Sequence, residues 1–132
     1  MTRRPPARKA RKSRPLRPRK VPAGLTLAGT ACDERKAVAG LVLDLRQISE
    51  AVDFFVIVSG TSDTHVRAIA EHVIATLQAE GMRPYHVEGL SQGRWVLVDY
   101  VDFVVHVFHP TLRSFYQLEG LWGDAPQRQL KA

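Results

Sequence analysis

The sequence is short of the features that mark secreted and membrane proteins. Cys32 is the only cysteine in 132 residues, so no disulfide can form within the chain and a reducing compartment is expected. No apolar run approaches the roughly 18 residues that a membrane-spanning helix needs. The beginning of the chain lacks the apolar segment of a secretory signal. These absences predict a soluble, cytoplasmic protein with no membrane partner.

Motifs of nucleotide and metal chemistry are also missing. No Gly-x-Gly-x-x-Gly or P-loop pattern occurs, and the single glycine within residues 59–62 favours a plain capped turn over a phosphate site. His106 and His109 are three residues apart, a spacing that places them on opposite faces of a strand. His65 and His72 are two helical turns apart rather than the one turn that metal chelation prefers. We therefore expect no cofactor and no bound metal.

Charge is distributed unevenly along the chain. Residues 1–20 hold ten basic side chains and no acid, whereas residues 21–132 hold nine basic side chains against 13 acids, a net charge of −4. Residues 1–22 also contain five of the eight prolines, which predicts a disordered basic tail. Three interpretations of this tail stay open: an arm that contacts RNA, a solubilising segment without defined contacts, and a targeting peptide, against which the prolines argue.

Residues 23–132 predict one α/β domain. An ambiguous pattern at its start indicates a short helix over residues 25–37 and a strand over residues 41–46, with Gly40 as the interruption. The unbroken apolar run over residues 54–58 predicts a strand that is buried on both faces.

A long amphipathic helix is predicted from Ser62 to Glu80. Its apolar residues recur at helical spacing over nearly four turns, and they are Val66, Ile69, Ala70, Val73, Ile74 and Leu77. Ser62 suits the N-cap, and Gly81 suits the left-handed position that ends many helices.

The last third of the chain predicts an antiparallel hairpin. Residues 84–88 suggest a short edge strand, and residues 95–100 and 103–108 suggest two strands joined by a tight turn. Pro110 is expected to end the sheet. Thr111 is expected to cap a last helix, which buries Leu112, Phe115 and Leu118 before Trp122 packs against it. The predicted fold is a mixed β-sheet flanked by helices.

The first predicted hairpin strand carries the candidate binding residues. Strand alternation places Trp95, Leu97 and Asp99 on one face and Tyr100 on the other. Large aromatics often anchor protein interfaces, but core packing explains Trp95 equally well. Asp99 and Asp102 flank the turn as a pair of carboxylates, and acids at turns commonly bond their own backbone.

Several spaced motifs resemble the Iojap or ribosomal silencing factor family. The resemblance runs in order from about Lys36 to Pro126, and the basic tail lies outside it. Its motifs are Val52 to Ser62 with His65-Val66, Glu88-Gly89, Trp95 to Tyr100, Asp102, Val105 to Phe108, Arg113, Phe115-Tyr116, Leu118-Glu119 and Leu121-Trp122.

The resemblance implies a fold similar to nucleotidyltransferases, a homodimer and no catalysis. It also implies that the protein binds the fourteenth protein of the large ribosomal subunit, blocks joining of the small subunit and represses translation. The site residues expected from it are Trp95, Asp99, Tyr100, Asp102 and Glu88. An acidic domain suits a basic ribosomal protein, and the tail would add non-specific contacts with ribosomal RNA.

Two departures and two rival functions accompany the resemblance. Val101 stands where the family usually has glycine, which predicts a strained or altered turn, and Gly120 stands where it usually has a basic residue. One rival is a metal-dependent, nucleotidyltransferase-like enzyme that uses Asp99 and Asp102. That chemistry requires acids one residue apart on a strand, and the sequence contains no Asp-x-Asp or Asp-x-Glu. The other rival is an RNA-binding module that acts through the tail.

Overall fold

A computed structural model of the chain describes residues 21–112 and 126–129. A helix begins at Pro110, near the end of the first range, and two complete helices and six strands are found besides it. In chain order they are α1 (Ala23–Glu34), β1 (Val38–Asp44), β2 (Phe54–Ser59), α2 (Asp63–Ala79), β3 (His86–Glu88), β4 (Trp95–Asp99), β5 (Phe103–Phe108) and β6 (Gln127–Gln129). The basic segment to residue 20, and the predicted helix beyond Leu112 with Gly120 and Trp122, lie outside these ranges.

The strands form one mixed sheet in the order β3-β4-β5-β2-β1-β6. β2 and β5 are parallel, with Phe54 opposite Phe103 and Ser59 opposite Phe108, and every other neighbouring pair is antiparallel. A parallel pair needs a long crossover, which α2 supplies after β2. The mixed sheet, the antiparallel hairpin β4–β5 and the edge strand β3 are thus confirmed.

One face of the sheet, the helix face, is covered by α1 and α2. The apolar residues of α2 and the alternate residues of the central strands form one buried cluster there. Ser62 caps α2 as predicted, because its side chain accepts a hydrogen bond from the His65 backbone N–H at 3.1 Å. Gly81 has φ +83°, the left-handed conformation expected just beyond this helix.

The opposite face of the sheet, here called the far face, carries a second apolar cluster. Its buried members come from β1, β2, β5 and the segments next to them, and Trp95, Leu97 and Leu112 pack against them partly exposed. Because β2 contributes Phe54 and Val56 to one cluster and Ile57 to the other, both of its faces meet apolar side chains. This confirms the prediction that β2 is a central strand.

The predicted bounds were inaccurate at both ends of the domain. α1 ends at Glu34 rather than 37, and β1 begins at Val38 rather than 41, because the strand continues through an irregularity between Val38 and Leu41. Near the other end, the chain is already helical at Pro110, so Thr111 lies in the first helical turn and is not its cap. Proline favours that first position, since its missing N–H would have no partner there.

Candidate interaction surface

Trp95, Leu97 and Asp99 lie in a row along β4 on the far face. All three are partly exposed, whereas Val96 and Val98 between them are buried against the helix face. Asp99 lies four residue steps beyond Trp95 along the strand, a distance of roughly 13 Å. The alternation predicted for this strand is therefore confirmed.

Glu88 joins this row from the neighbouring edge strand. Glu88 lies opposite Leu97 and His86 lies opposite Asp99, and directly opposed residues project from the same face of a sheet. The imidazole Nε2 of His86 and the carboxylate Oε2 of Glu88 are 2.6 Å apart. We call Trp95, Leu97, Asp99, His86 and Glu88 the Trp95 surface.

The loop between β3 and β4 fixes how these two strands meet. Gly89 has φ +80°, and a Cβ at this position would overlap the carbonyl oxygen of Trp95. Gly93 closes the loop by donating its backbone N–H to the Gly89 carbonyl at 3.1 Å. Arg67 of α2 contacts the loop from the helix face, where its guanidinium donates a hydrogen bond to the Ser91 carbonyl oxygen at 3.3 Å. Glycine at position 89 thus allows Glu88 to lie close to the start of β4.

Trp95 is held by two contacts with β5. Its indole stacks on Phe108, with ring centroids 4.9 Å apart and planes 28° apart. Its Nε1–H donates a hydrogen bond to Nδ1 of His106 at 3.2 Å. The side chain is nevertheless partly exposed. Trp95 therefore packs against β5, as the core-packing interpretation predicts, while a part of the side chain stays exposed. Its role as an interface anchor stays a prediction.

His106 lies beneath the Trp95 surface and is 4% exposed. It sits between Leu97 of β4 and Ile57 of β2, with Phe55 edge-on at 4.6 Å between ring centroids. Burial lowers the pKa of His106 to about 3, because the charged imidazolium would lose its hydration. The side chain is therefore neutral at physiological pH. Sequence analysis did not single out this residue as part of the site.

The turn of the β4–β5 hairpin carries the other two acids. The Asp99 carboxylate accepts a hydrogen bond from the Val101 backbone N–H at 2.7 Å, the backbone bonding typical of acids at turns. Val101 has φ +75°, which confirms the strain expected where the family usually has glycine. The Asp102 side chain is exposed, and its carbonyl accepts from the Asp53 N–H at 2.9 Å.

Tyr100 points to the helix face, away from the Trp95 surface. Its ring stacks on Phe103 with centroids 5.0 Å apart, and it packs against the helix-face cluster. The hydroxyl is buried without a hydrogen-bond partner in the part of the chain that the structure describes, and burial raises the pKa of Tyr100 to about 12. The structure therefore brings Trp95, Asp99 and Glu88 together, places Asp102 at the turn end, and separates Tyr100 from them.

The other polar candidates have structural roles. His65 accepts from the Thr61 backbone N–H through Nδ1 at 2.8 Å, and its Nε2 is 2.7 Å from the Arg35 carbonyl oxygen. His72 pairs with Glu34 at 2.7 Å. Burial raises the pKa of the Cys32 thiol to about 12, which suppresses the reactive thiolate.

Within residues 21–112 and 126–129, no three histidine, cysteine or acidic side chains converge as a metal site would require.

Among the described residues, no helix is long and apolar enough to cross a membrane.

Comparisons with known proteins agree on one family. A family model described as ribosomal silencing factor during starvation matches residues 18–132. The chain is 46% identical over 106 residues to the ribosomal silencing factor RsfS of Bacillus subtilis, covering 80% of this chain and 90% of that protein.

Solved structures agree with this result. A crystal structure of a protein from Chromobacterium violaceum is similar with a TM-score of 0.76 and 32% identity, covering 80% of this chain and 88% of that one. Another, from Bacillus halodurans, is similar with a TM-score of 0.71 and 42% identity, covering 80% and 96%. The motif resemblance, the family model and the fold concur. The chain belongs to the ribosomal silencing factor family.

Proposed function

We propose that this protein binds the large ribosomal subunit through its fourteenth ribosomal protein and acts without catalysis. Bound there, it blocks joining of the small subunit by occupying the surface that the small subunit needs, and so represses translation. The observation that carries the proposal is the Trp95 surface, where a partly exposed tryptophan lies in one row with Asp99, and Glu88 lies opposite Leu97 of the same row. Family membership supports the ribosome as the partner.

The chemistry of the Trp95 surface suits a basic protein partner. Tryptophan buries a large apolar area with few rotatable bonds, which makes it a common anchor at interfaces. Glu88 lies opposite Leu97 in the middle of β4, and Asp102 lies in the turn after β4. Both are exposed acids, so they would meet basic groups around that anchor. Tyr100 contributes by shaping the turn, since its hydroxyl is buried.

The strained turn supports the same location. Val101 adopts a positive φ that costs a β-branched residue energy, and such strain concentrates at functional sites. The turn presents Asp102, which therefore belongs to the proposed contact.

The proposal also includes a homodimer in the cytoplasm and a tail that adds only non-specific affinity for ribosomal RNA. Removing residues 1–22 should flatten the salt dependence of ribosome binding, because fewer counterions are released, while the preference for large subunits persists. Loss of that preference would favour the rival RNA-binding function instead. Light scattering of the purified protein gives the oligomeric state.

Charge reversal at Asp102 tests the acidic turn next to the Trp95 surface. Asp102→Lys should weaken binding to isolated large subunits and slow association, most strongly at low salt. Glu71→Lys is the matched control, since Glu71 is also an exposed acid but lies on α2, on the helix side of the sheet. Binding and subunit joining are measured by sedimentation of mixed subunits. If the two substitutions weaken binding equally, the change in net charge explains the loss of affinity. That outcome would contradict the proposed contact at Asp102.

A further inference from the structure

His106 makes a hydrogen bond that determines its tautomer. The indole N–H of Trp95 can only donate, so Nδ1 of His106 must accept, and the imidazole proton must sit on Nε2. Nε2 is buried and has no hydrogen-bond partner among residues 21–112 and 126–129. A buried donor without an acceptor destabilises a fold, which an apolar side chain at this position would avoid. His106 is therefore a poor choice for stability alone.

The stack on Phe108 and the hydrogen bond to His106 act on the Trp95 indole in different ways. The stack has ring centroids 4.9 Å apart, and a stacked contact fixes the plane of an aromatic ring more firmly than its direction within that plane. The bond from Nε1 to His106 acts on that direction, because it ties one edge of the indole to β5.

We propose that His106 is a positioning residue that holds the indole of Trp95 in the orientation in which it binds the ribosome. The inference rests on the proposed function, since it assigns the anchor of that interaction to Trp95. Fixing an anchor before binding raises affinity, because less side-chain freedom is lost when the complex forms. The pKa of about 3 keeps the acceptor nitrogen unprotonated throughout the physiological pH range.

The direct test compares His106→Leu with His106→Asn. Leucine removes the acceptor, whereas the asparagine side-chain oxygen can take the place of Nδ1. His106→Leu should weaken binding to isolated large subunits roughly five- to tenfold, because a less firmly held indole must be ordered when the complex forms, without lowering the urea midpoint of unfolding. His106→Asn should recover most of the affinity, although its smaller side chain lowers stability.

A double-mutant cycle separates positioning from a general structural effect. On a Trp95→Phe background, which lacks the indole donor, His106→Leu should change the affinity by less than twofold. The proposal would be overturned if His106→Leu lowered the affinity equally in the wild-type and Trp95→Phe proteins, or lowered it in neither.

The indole N–H resonance provides a readout that does not depend on the ribosome. In nitrogen-15 spectra, the Trp95 indole signal, assigned by its loss in Trp95→Phe, should shift and exchange faster with solvent in His106→Leu. An unchanged signal would overturn the positioning role. If the signal responds but the wild-type protein shows no preference for large subunits, the proposed function fails and the error is separate from the geometry of His106.

Discussion

Lowering the pH from 7 to 4.5 is expected to destabilise the protein by about 2–3 kcal/mol through His106 alone. Burial lowers the pKa of His106 in the folded protein to about 3, from an ordinary value of 6.5. The unfolded chain therefore takes up a proton first, as the pH falls below 6.5. The contribution of neutral His106 to the unfolding free energy is fully present above pH 6.5. It is lost as the pH falls toward 3, at about 1.4 kcal/mol per pH unit.

Urea denaturation at several pH values measures this effect. Carboxylates titrate in the same range, so the informative quantity is the difference in unfolding free energy between the wild-type protein and His106→Leu. That difference should grow steadily in favour of the variant from pH 6.5 to 4.5. Parallel pH profiles for the two proteins would refute the reasoning, because they would mean that His106 is protonated equally easily in the folded and unfolded states.

Three further substitutions test the local structure by urea denaturation. Val101→Gly should stabilise the protein by roughly 0.5–1.5 kcal/mol, since glycine adopts φ +75° without strain, and a destabilised variant would contradict the strained turn. Gly89→Ala should cost at least about 1 kcal/mol more than Gly81→Ala, because both glycines have positive φ but only Gly89 faces the Trp95 backbone; equal costs would argue against that close approach. Ile57→Ala should cost about 2–5 kcal/mol by leaving a cavity in the sheet, and a loss below about 1 kcal/mol would show that β2 is not central.

Local sequence signals predicted the elements that depend on short-range patterns. The apolar run of β2 and the helical spacing of α2, with Ser62 as its cap, need no distant partner to be recognised. The β4–β5 hairpin was predictable because a tight turn separates two apolar strands. α2 was recognisable from its helical period, whereas β2 was recognisable from a short, continuous apolar run.

Elements that depend on distant pairing were harder to predict. β6 consists of Gln127–Gln129, three polar residues without an apolar pattern, and it exists as a strand through its pairing with β1. β1 itself was misplaced because Gly40 interrupts its pattern, whereas the strand continues past that interruption. The strand order also depends on β2 pairing with β5, about fifty residues further along the chain.

The candidate site was only partly visible in the sequence. Alternation along β4 correctly grouped Trp95 with Asp99 and separated Tyr100 from both. The positions of His86 and His106 require the register of β3 and β5 against β4, which no local pattern supplies. His106 was missed for a second reason: a buried histidine looks like one more residue of an apolar strand.

The central claim is that the Trp95 surface binds the large ribosomal subunit, and Trp95→Ala tests it most directly. Purified wild-type protein and the variant are sedimented with isolated large and small subunits, and the unfolding free energy of each is measured alongside. We expect the wild-type protein to sediment with large subunits only, and the folded variant to bind them roughly thirtyfold more weakly or worse, as for a buried interfacial tryptophan. A variant that stays folded and binds large subunits as tightly as the wild-type protein would contradict the claim.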